Sequence, residues 1–222
     1  EPSVGPAGED LKDPETVLSL IRVPPITLEV GEALIPLVDP GQGGELMDLV
    51  VPMRVNVGCE LGFVMPGVQF KDNLNLPPGQ FQILVKGLQV LTQELPAHHR
   101  LAVAGPETDL TVPLGGPDLE GGPPSMRARW IPDADVPRAE ALGWDVRGPQ
   151  RWVVACLEAV VTDQAWAILA REEVRIMLDK VREKAPQLMR ELVPDRMDHG
   201  TIHQVLQHLL RERVSIRDMV CV

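Results

Sequence analysis

Eighteen of the 19 glycines and 19 of the 22 prolines fall before residue 149. Proline removes a backbone donor and clashes with the preceding helical turn, and glycine loses the most chain entropy on ordering. The first two thirds therefore favour turns, short strands and short helices, whereas the remainder is free to form longer helices. The charge divides at the same place. Residues 1–148 carry 10 basic and 21 acidic side chains, and residues 149–222 carry 11 of each, so the whole net charge of −11 belongs to the first part. Phosphate-backbone binding needs a surplus of Lys and Arg, so no nucleic-acid partner is expected. A hydrophobic share of 44% supplies a packed core, and no apolar run reaches the roughly 18 residues of a membrane span. Cys59, Cys156 and Cys221 are odd in number and far apart, which suggests no disulfide framework.

Periodicity divides the chain further. Residues 1–25 read as a linker and docking segment, with Val17, Leu18, Leu20 and Ile21 as its apolar cluster. Residues 26–107 read as mixed α/β, 108–148 as a Gly/Pro-rich connection and a small α/β block, and 149–222 as a helical subdomain. The fold class is α+β. Ile26 to Val30 alternates as a half-buried strand. Leu46, Val50, Met53, Val57 and Leu61 recur at helical spacing on one face, with Pro52 expected to kink or restart that helix. Val68–Lys71 and Phe81–Lys86 alternate and are expected to pair as a hairpin across Asn75–Gly79. Residues 105–125 read as a turn-rich loop. Ala128–Ile131 reads as a strand and Val136–Leu142 as a helix stopped by Gly143, followed by Trp144-Asp145-Val146. In the last helix Ile202, Val205, Leu206, Leu209 and Leu210 form the apolar face, and the Thr201-x-x-Gln204 spacing marks Thr201 as the N-cap.

Catalytic signatures are lacking: there is no P-loop, no GxGxxG and no GxSxG, tyrosine is absent and serine is scarce. His199 and His203, four apart with Asp195 and Asp198 close by, raise a metal-dependent enzyme as a competing reading. The Thr201 cap would leave His199 outside the helix, and a third ligand at compatible spacing is missing, so no metal and no cofactor is assigned. Cys59 and Cys156 read as buried small hydrophobes. Glu60, Gly62 and Phe63, followed by Val64-Met65-Pro66, could form a shallow apolar dimple with an acidic rim, suited to a partner's helix or peptide; the alternative is that Phe63 staples helix to sheet. Lys71-Asp72-Asn73 is a polar triplet at a strand end, where Asp and Asn usually stabilise a turn.

Longer motifs go beyond periodicity. Leu28-Glu29-Val30-Gly31 with Leu34-Ile35-Pro36-Leu37-Val38-Asp39, then Glu60-Leu61-Gly62-Phe63-Val64-x-Pro66, Lys71-Asp72-Asn73-Leu74 and Ile83-x-x-Lys86-Gly87 resemble the cytoplasmic domain of the FlhA family, the flagellar type III export gate. Trp130-Ile131 with Ala139 to Gly143, Glu173 to Val193 and Val205 to Asp218 continue the resemblance in the family's order. It implies a homo-oligomeric ring, a nonamer in the full-length member, at the cytoplasmic face of the bacterial inner membrane. It also implies that membrane contact is made only through an N-terminal region lying before this segment. The implied partners are export chaperone–substrate complexes and export apparatus proteins, including the ATPase complex and other gate components. The implied chaperone dimple falls on Glu60, Gly62 and Phe63, joined by Asp72 and Asn73, and the implied inter-subunit docking on Val17, Leu18, Leu20 and Ile21. Glu60 stands where flagellar members have Asp, and Ala155-Cys156-Leu157 stands where Thr-His-Leu is usual, so the homologous virulence injectisome gate is the alternative pathway. A purely structural ring component is a third reading. The motif at Val214–Met219 normally continues, so the helical subdomain is expected to be incomplete and ring assembly by this segment poor.

Overall fold

The structure, a computed structural model, describes residues 23–42, 44–106, 108, 114–116, 119 and 127–220. The proposed docking cluster Val17, Leu18, Leu20 and Ile21 lies outside the described residues, as do Cys221 and most of the 105–125 loop. Strand β1 (Ile26–Val30) buries Ile26, Leu28 and Val30 on one face and Thr27, 4% exposed, on the other. A strand buried on both faces belongs inside a sheet, and β1 lies between β2 (Val68–Asp72), which it pairs in parallel, and β3 (Gln80–Val85), which it pairs antiparallel. The order is β2-β1-β3-β4, with β4 spanning Leu88–Glu94.

The expected hairpin between Val68–Lys71 and Phe81–Lys86 does not form, because β1 separates the two segments. Exposed Gln69, Lys71 and Asp72 suit β2 to an edge. The tight turn of this sheet comes later, at Lys86-Gly87, where φ values of 50° and 79° give the two positive dihedrals of a type I′ hairpin joining β3 to β4.

The parallel β1–β2 pair needs a crossover. It runs through the short helix α1 (Ile35–Val38) and the long helix α2 (Leu46–Leu61). Leu46, Val50, Met53, Val57 and Leu61 are the buried side chains of α2, the stripe read from the sequence. Pro52 neither ends nor restarts the helix. It lies on the exposed side, where water can take the Asp48 carbonyl that lacks a donor.

A second sheet, ordered β6-β5-β7 and wholly antiparallel, comprises β5 (His99–Ala104), β6 (Ala128–Pro132) and β7 (Trp144–Arg147). Helix α3 (Val136–Ala141) joins β6 to β7, and Gly143, φ 79°, turns the chain. β5 belongs to this sheet, so the two sheets part between Glu94 and His99. Ala102, Ile131, Ala139, Trp144 and Leu114 form its own small core.

Helices follow: α4 (Gln150–Asp163), α5 (Ala165–Ile168), α6 (Arg171–Lys184), α7 (Pro186–Leu192) and α8 (His199–Arg211). Helix α4 buries eight side chains from Trp152 to Val161 and packs on α2. One continuous hydrophobic core therefore runs from the first sheet into the helical part. Trp152 meets Trp130 of β6 edge to face, with centroids 6.2 Å apart and planes at 76°.

The cysteine expectation is half right. Cys156 is fully buried and burial pushes its thiol up to about 12, but Cys59 lies on the outer face of α2 and is exposed. At pH 8 a maleimide should therefore label Cys59 within minutes while Cys156 stays unmodified until the chain is denatured; peptide mapping by mass spectrometry reads the difference.

Candidate functional site

The outer side of α2 carries an apolar ridge of its own. Met47, Val51 and Val55 recur every fourth residue and are 45%, 59% and 60% exposed, and Val64 beyond the helix is 64% exposed. Between this ridge and the segment Phe63–Met65 lies an open groove of about 410 Å³, with Arg54, Gly58, Cys59 and Gly62 completing its lining. Phe63 and Met65, 2% and 1% exposed, belong to the core and present only their edges to the groove floor. Phe63 thus both staples the helix end to the core and lines the groove. The rim carries Arg54, whose Nη2 donates to the Met65 carbonyl at 2.9 Å and holds the strap against the helix.

Gly62 ends α2 in the left-handed region, φ 88°, with its N–H donating to the Gly58 carbonyl. The backbone of Ile216–Arg217 crosses directly over it, and Ile216 N–H donates to the Leu61 carbonyl at 2.8 Å.

The other sequence candidates lie elsewhere. Glu60 is on the opposite flank of α2 and faces Glu158 of α4. Partial burial, with the Glu60 charge added, raises the Glu158 carboxyl above its ordinary value. Glu158 belongs to a smaller cleft of about 200 Å³ between β7 and α4, bordered also by Asp145, Arg147, Arg151 and Ala155. Asp72 and Asn73 are at the far end of β2, about 13 Å along the strand from Val68, and neither lines the groove. Asp72 is exposed, whereas Asn73 donates from Nδ2 to Glu29 Oε2 at 2.7 Å, an oxygen that also accepts from Gln82 Nε2 at 2.6 Å. Asn73 Oδ1 accepts from Asn75 N–H, so its side chain shapes the turn after β2.

At α8 the N-cap is Asp198, not Thr201. Its carboxylate accepts from the Thr201 N–H at 2.6 Å, an interaction that holds it below the usual carboxylate range. Asp caps as well as any residue, so the helix begins one turn earlier and His199 is its first residue, not outside it. His203 Nε2 lies 3.1 Å from the Leu169 carbonyl and so ties α8 to the end of α5. Among the described residues no three His, Cys, Asp or Glu side chains are grouped as metal ligands. None of their helices is long and apolar enough to cross a membrane.

The profile of the FHIPEP family matches residues 4–222. The chain belongs to the FHIPEP family. Flagellar biosynthesis protein FlhA of Bacillus subtilis is 36% identical over 215 residues, which cover 96% of this chain and 31% of that protein. The chain thus spans under a third of the relative's length. Among solved structures, Chlamydia pneumoniae CdsV superposes with a TM-score of 0.72 at 20% identity, covering 90% of this chain and 58% of the other. The nonameric EscV cytosolic domain from the type III secretion system superposes with a TM-score of 0.62 at 19% identity, covering 90% and 56%. The α+β architecture is therefore the fold of this FHIPEP segment and of those domains.

Sequence reasoning passed over Met47, Val51 and Val55. Their signal was available: apolar residues at i, i+4 and i+8 lying off the stripe that faces the core.

Proposed function

We infer that this segment is part of the cytoplasmic region of a type III protein export gate in the flagellar pathway, and that it docks chaperone–substrate complexes on the outer ridge of α2. The pathway rests on the FHIPEP match and the FlhA relative. The observation that carries the docking site is the groove at Val51, Val55 and Val64, three exposed branched side chains over a buried aromatic and methionine floor. Apolar surface of this kind beside a charged rim suits a protein partner. The wider assembly would be a homo-oligomeric ring, as in the nonameric EscV structure, with export apparatus proteins as further partners.

Calorimetry with a flagellar chaperone–substrate complex tests the site. Val51→Asp combined with Val55→Asp should weaken binding more than tenfold, because two methyl clusters that the partner would cover are replaced by charges that must be desolvated. Both positions are exposed, so the melting temperature should stay within about 2 °C. Unchanged affinity removes the ridge from the docking site.

A second reading has its own observation, the Glu158 cleft, where a carboxylate of raised proton affinity lies among Arg147, Arg151 and Asp145. In that case Arg151→Glu abolishes binding and the ridge variants do not. Glu158 also makes a stability prediction. A carboxyl raised in the fold favours the protonated native state, so its favourable contribution is complete below the unfolded value and lost as pH rises through the folded one. Glu158→Gln should therefore be more stable than the parent at pH 7, with the difference vanishing as pH falls toward 4; equal melting temperatures at both pH values contradict it.

A further inference from the structure

We propose that the partner element seated on α2 is an α-helix bearing an apolar ridge of its own and a carboxylate that meets Arg54; this rests on reading the groove as a docking surface. Beyond its first turn the backbone N–H groups of α2 are turned into its own hydrogen bonds, through to Gly62 N–H on the Gly58 carbonyl. The face has no row of unpaired backbone groups to which a strand could add, so a partner engages it through side chains alone. The side chains present form a ridge. Met47, Val51, Val55 and Cys59 follow one another at intervals of four over about 18 Å of helix, about three turns. Ridges at this spacing are the ones that a second helix interdigitates, at a crossing angle of about −50°.

Charge selects the kind of helix. Three and four residues from Arg54 stand Val50, Val51, Val57 and Gly58, none of them acidic. Among the described residues no carboxylate pairs with Arg54, and its one recorded hydrogen bond goes to a neutral carbonyl. It is an exposed, uncompensated guanidinium at the edge of an apolar groove, on a chain whose net charge is −11. The overall charge of the chain repels acidic partners at long range but is screened beyond about 8 Å at physiological salt. At contact the guanidinium offers the charge-assisted, two-pronged hydrogen bonding that carboxylates accept best. An apolar helix flanked by Glu or Asp fits both features.

Cys59 provides the readout, since it lies in the groove, while buried Cys156 serves as the internal reference. The probes are two synthetic alanine-based helical peptides of about 16 residues, each with leucine at every fourth position. One carries glutamate beside the leucines and the other lysine at the same places. With the full chain, the glutamate peptide should slow Cys59 alkylation at about fivefold lower concentration than the lysine peptide, the ratio for an ion pair of about 1 kcal/mol. Arg54→Glu should reverse that order, and Arg54→Gln should abolish the difference. Equal protection by both peptides, no protection by either, or protection on concentrating the chain without peptide overturns the inference, the last in favour of a second copy as occupant. If chaperone complexes need Val51 and Val55 yet neither peptide protects Cys59, the helix inference fails alone. If the glutamate peptide protects while chaperone complexes ignore the ridge, the docking reading fails and the helix chemistry stands.

Discussion

Phe63→Ala should lower the stability of this FHIPEP segment by about 3 to 5 kcal/mol, the range for deleting a buried aromatic side chain. The ring is 2% exposed and packs in the same core as Leu61, Met65 and the sheet residues Ile26 and Phe81. For a domain of this size that loss corresponds to a fall in melting temperature on the order of 10 °C. The consequence is practical. The substitution that the motif invites, removal of its aromatic, cannot separate binding from folding, because a partner touches only the ring edge while the core holds the rest. Phe63→Leu keeps most of the apolar volume and should cost about 1 to 2 kcal/mol. If Phe63→Ala melts within 2 °C of the parent, the ring is not the anchor described here.

What the sequence made legible follows from the range over which each signal acts. The inner stripe of α2, the turn at Gly143 and the helices after Pro149 depend on neighbours three or four residues apart, and those readings hold in the structure. The pairing of β2 was misjudged because alternation says that a segment is a strand and nothing about its neighbour. The insertion of β1 is decided by the burial of Thr27 on the sheet's second face, a tertiary fact. At α8 the expected cap was Thr201, but the Asp198 carboxylate, three residues earlier, accepts from the Thr201 N–H and takes that place. The candidate site divides in the same way. Gly62 and Phe63 line one groove, but Glu60, two residues away, is turned by the helix toward Glu158, and Asp72 and Asn73 are carried off by the length of β2. Contiguity in a motif thus did not amount to contiguity on the surface.

Gly62→Ala should be the other severe substitution, for a reason that lies in the backbone of a distant segment. Two costs combine. The residue sits at φ 88°, where any side chain is disfavoured by roughly 1 to 2 kcal/mol. An added Cβ would also stand 2.2 Å from the Arg217 nitrogen and 2.3 Å from its Cα. Backbone atoms cannot rotate away, so the 215–217 segment must lift. Lifting it breaks the Ile216 to Leu61 hydrogen bond, worth about 0.5 to 1.5 kcal/mol, and unseats Ile216, which is fully buried. A net loss of about 3 kcal/mol or more follows, read as a lower denaturant midpoint. Two comparisons make the cause visible. Gly67→Ala, where an added Cβ meets nothing within 4 Å, should be near neutral. In an Ile216→Ala background, where the crossing segment is already loosened, Gly62→Ala should cost measurably less than in the parent. Additive losses in that double variant would mean that the left-handed dihedral alone dictates glycine here, and that the strap over the helix end exerts no steric demand.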